Sequence, residues 1–170
     1  RINKFLAQAG IASRRKVDEL IEEGRVNVNG KKASLGQEVS QSDNVLVNGQ
    51  PITILQPPTY IILNKPKGVT STVYDPHAQF TVTKLVGAKE RLFPVGRLDE
   101  DSTGLILLTN DGELANRLTH PKFHIPKTYE VTILGVVSQD QINKLESGIF
   151  LEEGKTAPAK VETAHKSAHK

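Results

Sequence analysis

The chain has no cysteine, no methionine and no tryptophan, and its aromatic residues are three Tyr and five Phe. Without cysteine there are no disulfide scaffolds, thiolate nucleophiles, Cys-based zinc sites or iron–sulfur clusters, so any chemistry falls to carboxylates, hydroxyls, imidazoles and amines. Long hydrophobic runs are missing too. The longest, Leu105-Ile106-Leu107-Leu108, is strand-sized and far below the ~18 residues of a membrane span, so no membrane partner is expected. The first residues, Arg1-Ile2-Asn3-Lys4, carry no hydrophobic signal stretch, which predicts a cytoplasmic location. Charge of one sign is also scarce. With 22 Lys+Arg against 19 Asp+Glu the formal net charge is +3, too small by itself to argue for nucleic acid, so the distribution of charge has to carry that argument. What is present is ordinary for a soluble folded chain, 37% hydrophobic and 24% charged. A length of 170 residues allows one domain or two small ones, each with a modest core.

Residues 1–47 contain eight basic side chains (Arg1, Lys4, Arg14, Arg15, Lys16, Arg25, Lys31, Lys32) and six acidic ones. Ile2, Phe5, Leu6 and Ala9 recur at i, i+3, i+4, i+7, predicting a short amphipathic helix that Gly10 ends. Ser13 reads as the N-cap of a second helix with Val17, Leu20 and Ile21 on its buried face and Gly24 beyond its C-terminus. The first turn of that helix is Arg14-Arg15-Lys16 and the last carries Glu22 and Glu23. This order opposes the helix macrodipole, which favours acids first and bases last. Three cations beside free helix N–H groups would grip a phosphate, although the same cluster also reads as a solvated charged face. Arg25-Val26-Asn27-Val28-Asn29-Gly30 then alternates into a hairpin turn with Lys31-Lys32 beyond it, and Asn44-Val45-Leu46-Val47-Asn48-Gly49 repeats the form. Two short helices on a small sheet are predicted.

On Ala9-Gly10-Ile11-Ala12-Ser13-Arg14-Arg15-Lys16 and Gly24-Arg25-Val26-Asn27-Val28-Asn29-Gly30, this segment resembles the small RNA-binding module named after ribosomal protein S4. The resemblance implies RNA binding by the two-helix face and the following hairpin, with Lys4, Arg14, Arg15, Lys16, Arg25, Lys31 and Lys32 as the candidate contacts.

Residues 49–59 include Pro51, Pro57 and Pro58, the composition of a connector, and predict domains at 1–56 and 57–170. In the second domain, residues 60–64 and 105–109 read as buried strands and Lys65-Pro66-Lys67-Gly68 as a turn. Phe93-Pro94-Val95-Gly96 leads into a polar loop, and Asn110 with Glu113 forms the N-cap and capping box of a helix through Thr119. Residues 127–134 read as a strand in which Tyr129, Val131 and Ile133 alternate with Glu130 and Thr132, and residues 139–145 as a short helix. Mixed elements with short connections predict an α+β fold with a mostly antiparallel sheet and flanking helices. Residues 163–170 read as a loose tail.

The polar loop Gly96-Arg97-Leu98-Asp99-Glu100-Asp101-Ser102-Thr103-Gly104 holds three consecutive carboxylates. Its Asp99-x-Asp101-x-Thr103-Gly104 spacing matches the start of a calcium loop, but the twelfth position is Asn110 and an apolar strand occupies residues 105–108, so calcium is not expected. His120 and His124 are spaced i, i+4, yet Pro121 and Pro126 interrupt any helix through them, so no zinc pair is expected. His165 and His169 in the tail share that spacing. Without its surroundings, the acidic run reads as a solvated turn, and Tyr129 as a core aromatic.

Taken with its flanks, Phe93-Pro94-Val95-Gly96-Arg97-Leu98-Asp99 followed by Thr103-Gly104-Leu105-Ile106-Leu107-Leu108-Thr109-Asn110-Asp111-Gly112 resembles the signature of the pseudouridine synthases that modify ribosomal RNA. Asn64-Lys65-Pro66-Lys67-Gly68 and Lys127-Thr128-Tyr129 extend the similarity to nearly the whole chain. The resemblance implies that Asp99 is the catalytic aspartate, that Tyr129 packs against the target base and that Arg97 contacts the RNA. It also implies a reaction that detaches uracil from C1′, turns it and rejoins it through C5, with no cofactor and no metal. The carboxylate either attacks C1′ or takes a proton from C2′, and the sequence does not choose between these. Ribosomal RNA is the implied partner, and a monomer is expected. Glu152-Glu153-Gly154-Lys155-Thr156-Ala157-Pro158-Ala159 looks like the large-subunit subgroup. Family members continue with a further strand and an Arg-rich segment whose arginine pairs with the catalytic acid. Its absence predicts a fragment or shortened form of low activity, and the alternative reading is a ribosomal RNA-binding protein with an incomplete, inactive synthase domain.

Overall fold

The computed structural model describes residues 1–52, 57–152 and 154–163. The expected boundary near residue 56, Glu153, and His165 and His169 of the expected tail lie outside the described residues. By contacts the chain divides into two units, Arg1–Pro126 and Lys127–Lys170.

The first unit begins with helices α1 (Ile2–Gln8) and α2 (Arg14–Glu22). Ser13 caps α2 as expected, its hydroxyl accepting from the Lys16 N–H at 3.2 Å. Beyond the C-cap, Gly24 takes φ 68°, and a Cβ there would stand 3.2 Å from the Lys32 ammonium. Strands β1 (Val26–Val28) and β2 (Lys31–Lys32) form a hairpin through Asn29 and Gly30, at φ 51° and 81°, the paired positive angles that a two-residue turn of this hand requires. Strands β3 (Val45–Val47) and β4 (Gln50–Pro51) repeat the device, and the antiparallel order is β2-β1-β3-β4. Alternation sends Val26, Val28, Val45 and Val47 to one face, where they form a core with Ile2, Leu6, Val17, Leu20 and Ile21. Each such aliphatic side chain contributes roughly 1.5–3 kcal/mol by leaving water.

The rest of this unit contains β5 (Tyr60–Lys65), α3 (Val82–Val86), β6 (Phe93–Val95), β7 (Gly104–Thr109), α4 (Gly112–Thr119) and a 3₁₀ turn (Pro121–Phe123). The antiparallel sheet runs β5-β7-β6, with Lys65 opposite Gly104 and Val95 opposite Leu107. Its inner face sends Ile106 and Leu108 into a second core with Val69, Val82 and Leu92, with Ile61 and Leu63 packed against it. The outer face leaves Ile62 68% and Leu105 74% exposed, so the two strands expected to be buried are buried on one side only. The segment expected to lead into a loop, residues 93–95, is itself a strand, and its Pro94 is tolerated because β6 lies at the sheet edge.

The cap of α4 is Asp111, not Asn110 as the sequence predicted. Asp111 accepts from the N–H groups of Glu113 and Leu114 at 2.9 and 3.1 Å. Register decides this. Tyr60 pairs with Thr109, so Asn110 falls opposite Thr59, where its amide accepts from the Thr59 N–H and donates to the Pro57 carbonyl.

The second unit contains α5 (Gln139–Ser147), capped reciprocally by Ser138 and Gln141, and a small hairpin of β8 (Phe150–Leu151) and β9 (Gly154–Lys155). The strand expected over residues 127–134 is not formed, and its alternating Tyr129, Val131 and Ile133 are all exposed. A strand needs a neighbour to take its N–H and C=O groups, and among the described residues none pairs with this segment.

Candidate active site and RNA-binding face

Gly96, at φ 81°, turns the chain out of β6 into the loop of residues 97–103. Leu98 dips back toward the second core. Its N–H donates to the Ser71 hydroxyl at 3.0 Å, and that hydroxyl donates to the Leu98 carbonyl at 2.6 Å. The Asp99 carbonyl accepts from the Ser102 N–H at 3.0 Å. The Glu100 carbonyl accepts from the Gly68 N–H at 3.0 Å and from the Lys65 ammonium at 3.1 Å.

Lys65 is 0% exposed. Its ammonium also donates to the carbonyls of Pro66 and Val69, at 3.0 and 2.7 Å, so three carbonyls match its three protons. A buried cation left unpaired would cost several kcal/mol; here the carbonyl dipoles offset that cost and the cation ties the strand end to the acidic loop. Asp99 therefore sits between two anchored neighbours while its carboxylate is exposed. Among the described residues no side chain donates to that carboxylate, and no ion pair joins it to Arg97, which is exposed on the same loop.

Lys65 and Ser71 were not among the residues singled out from the sequence. Lys65 was read as the start of a turn, whereas β5 runs through it; its spacing of two from Ile61 and Leu63 then puts the lysine on the core face. Ser71 had no signal, because nothing local links it to a residue 27 positions away. Tyr129 belongs to the second unit, where it is 64% exposed.

The seven cations expected to meet RNA divide into three groups. Lys4 pairs with Glu113 at 2.6 Å, Lys16 with Glu19 at 2.6 Å and Arg25 with Glu23 at 2.9 Å. The Glu19 hydrogen bond raises the Lys16 pKa, and the hydrogen bonds from Arg25 and Lys4 lower those of Glu23 and Glu113. Arg14 donates to the Asn3 side chain at 3.3 Å, and Asn3 in turn donates to both oxygens of Asp18. Arg15, Lys31 and Lys32 are exposed and in no ion pair among the described residues. Thus Glu19 at i+3 relieves part of the charge order that opposes the α2 dipole. Exposed pairs of this kind are worth about 0–1 kcal/mol, so a phosphate can displace the carboxylates.

A small helix–hairpin module with open cations is thus followed by a sheet presenting an aspartate on a braced loop. The S4 domain profile matches residues 1–45 and that of RNA pseudouridylate synthase matches residues 59–169. The chain belongs to the RNA pseudouridylate synthase family. It is 50% identical over 162 residues to the ribosomal large subunit pseudouridine synthase B of Bacillus subtilis (strain 168), covering 94% of this chain and 66% of that protein. It is 48% identical to an RNA pseudouridine synthase of Aquifex aeolicus (strain VF5), covering 93% and 65%. A solved pseudouridylate synthase matches at 30% identity with a TM-score of 0.58, covering 97% of this chain and 73% of the other. The chain spans about two thirds of the length of the Bacillus and Aquifex relatives.

Proposed function

We propose that this chain isomerises a uridine of large-subunit ribosomal RNA to pseudouridine, with residues 1–56 gripping the RNA and residues from 57 onward carrying the chemistry. The observation that carries this reading is the exposed Asp99 carboxylate on a loop anchored at Leu98 and Glu100. In the reaction the C1′–N1 bond breaks, uracil turns, a C1′–C5 bond forms, and the proton lost from C5 is balanced by one gained at N1. Asp99 acts on the sugar, either attacking C1′ or accepting the C2′ proton, and both roles need a charged carboxylate. The nucleotide must leave its stack at a cost of a few kcal/mol, part of which a ring such as Tyr129 recovers by stacking. Arg97 meets the backbone phosphate beside the target. The large-subunit assignment rests on the similarity to the Bacillus ribosomal large subunit pseudouridine synthase B and on the resemblance of residues 152–159 to the large-subunit subgroup. Such a substrate places the protein in the cytoplasm with the ribosome.

A second reading, an RNA-binding protein whose synthase domain is inactive, is favoured by one observation: residues 127–134 are unpaired and their apolar side chains exposed. One experiment separates the two. The chain is incubated with large- and small-subunit rRNA transcripts and pseudouridine is mapped by carbodiimide modification. The enzyme reading expects one modified uridine in the large-subunit transcript, abolished by Asp99→Ala while RNA affinity stays within about twofold. No conversion by the unsubstituted chain, or full conversion by Asp99→Ala, would overturn it.

A further inference from the structure

Leu98 immediately precedes Asp99 and lies outside the strands, so neither of its backbone polar groups has a ladder partner. Both are taken by one side chain. The Ser71 hydroxyl accepts from the Leu98 N–H and donates to the Leu98 carbonyl, using the donor and acceptor capacity that only a hydroxyl combines in one atom at this size. Ser71 itself stands on fixed backbone. Val69 is buried in the second core, and Thr70 bridges to Thr81 through bonds from the Thr70 N–H to the Phe80 carbonyl and from the Val82 N–H to the Thr70 carbonyl. Thr81 is in turn buried and caps α3. The hydroxyl therefore transmits the position of a packed core to the peptide that enters Asp99. Lys65 and Gly68 secure only the far side, at Glu100.

We infer that Ser71 is a positioning residue for Asp99, holding the carboxylate in register with the sugar through its two hydrogen bonds to Leu98. This rests on the reading of Asp99 as the catalytic acid. A carboxylate that must act at a single carbon loses about 100-fold in rate for a displacement near 1 Å, whereas RNA binding through the cations of α2 and β2 is untouched by such a shift.

The test is Ser71→Ala and Ser71→Thr in the full chain, with kcat and KM for the rRNA transcript, the thermal midpoint and amide exchange at Leu98. The inference expects Ser71→Ala to lose about 10- to 100-fold in kcat with KM within about twofold, and to speed exchange of the Leu98 N–H. Ser71→Thr, which keeps the hydroxyl, recovers most of both. If Ser71→Ala turns over at the unsubstituted rate, or if its kcat falls only as far as its folded fraction falls, the positioning role is wrong. If the unsubstituted chain forms no pseudouridine, the reading of Asp99 fails, and the positioning role fails with it.

Discussion

Among single residues, Lys65 has the most to lose. Its ammonium is dry and its three partners are backbone carbonyls at the junction of β5 and the Asp99 loop. Lys65→Met keeps the length of the side chain and removes every donor. We expect it to destabilise the chain by roughly 1–3 kcal/mol, because the buried Val69 carbonyl loses its donor while the Glu100 carbonyl keeps the Gly68 N–H. Denaturant unfolding checks this; a loss below about 1 kcal/mol would mean that water replaces the ammonium. Asp99, by contrast, is exposed, so Asp99→Ala is expected to change the unfolding free energy by no more than about 0.5 kcal/mol while ending conversion. Asp99 stood out in the sequence because a long signature surrounds it. The brace beneath it did not, since Ser71 and Leu98 meet only when two loops distant in sequence are brought together by the sheet.

Among the elements, α4 links the fold to pH. The N–H of Leu114, the Tyr60 hydroxyl and the N–H of Glu113 all donate to Asp111 and hold its pKa below the usual value, with the Leu114 bond the largest cause. A depressed carboxylate contributes stability that is present above its unfolded value, near 3.9, and lost as pH falls through the folded value. Asp111→Asn keeps a capping side chain but cannot ionise. The unsubstituted chain is expected to be the more stable of the two at pH 7, and the gap between their urea midpoints to close as the pH falls below the unfolded value and through the lower folded one. A gap that stays constant would show that the charge at this cap contributes nothing. Asp111→Ala removes the cap itself, at about 1 kcal/mol at neutral pH. The helix was legible from its polar start; which of Asn110 and Asp111 caps it was not, because both residue types cap well and only the pairing of Tyr60 with Thr109 assigns Asn110 elsewhere. Residues 127–134 show the opposite failure. Their alternation is a clear strand pattern, but pattern supplies side-chain placement and not the neighbouring backbone that makes a strand.

For the whole molecule, the proposed function asks how a chain of such small net charge would hold RNA. The cations of the N-terminal module sit beside a capped helix N-terminus and on a hairpin, so binding should be dominated by phosphate contacts and depend steeply on salt. Arg14→Ala with Arg15→Ala is expected to weaken rRNA binding and to flatten the dependence of log K on log salt by about 1.4, roughly 0.7 per lost contact to single-stranded RNA. Fluorescence titration of an rRNA fragment at several salt concentrations measures it, and an unchanged slope would move the grip elsewhere. Periodicity and turn chemistry by themselves determined the helices α1 and α2, the hairpins at Asn29-Gly30 and Asn48-Gly49 and the strands β5 and β7, because these follow from interactions within a few residues. The long signature around Asp99 determined where to look for chemistry. Tertiary structure alone decided which cations are already paired, that β5 and β7 are covered on one face only, and that Lys65 and Ser71 brace the aspartate. Each of these depends on which distant segments share one sheet or one core, and local spacing carries no record of that.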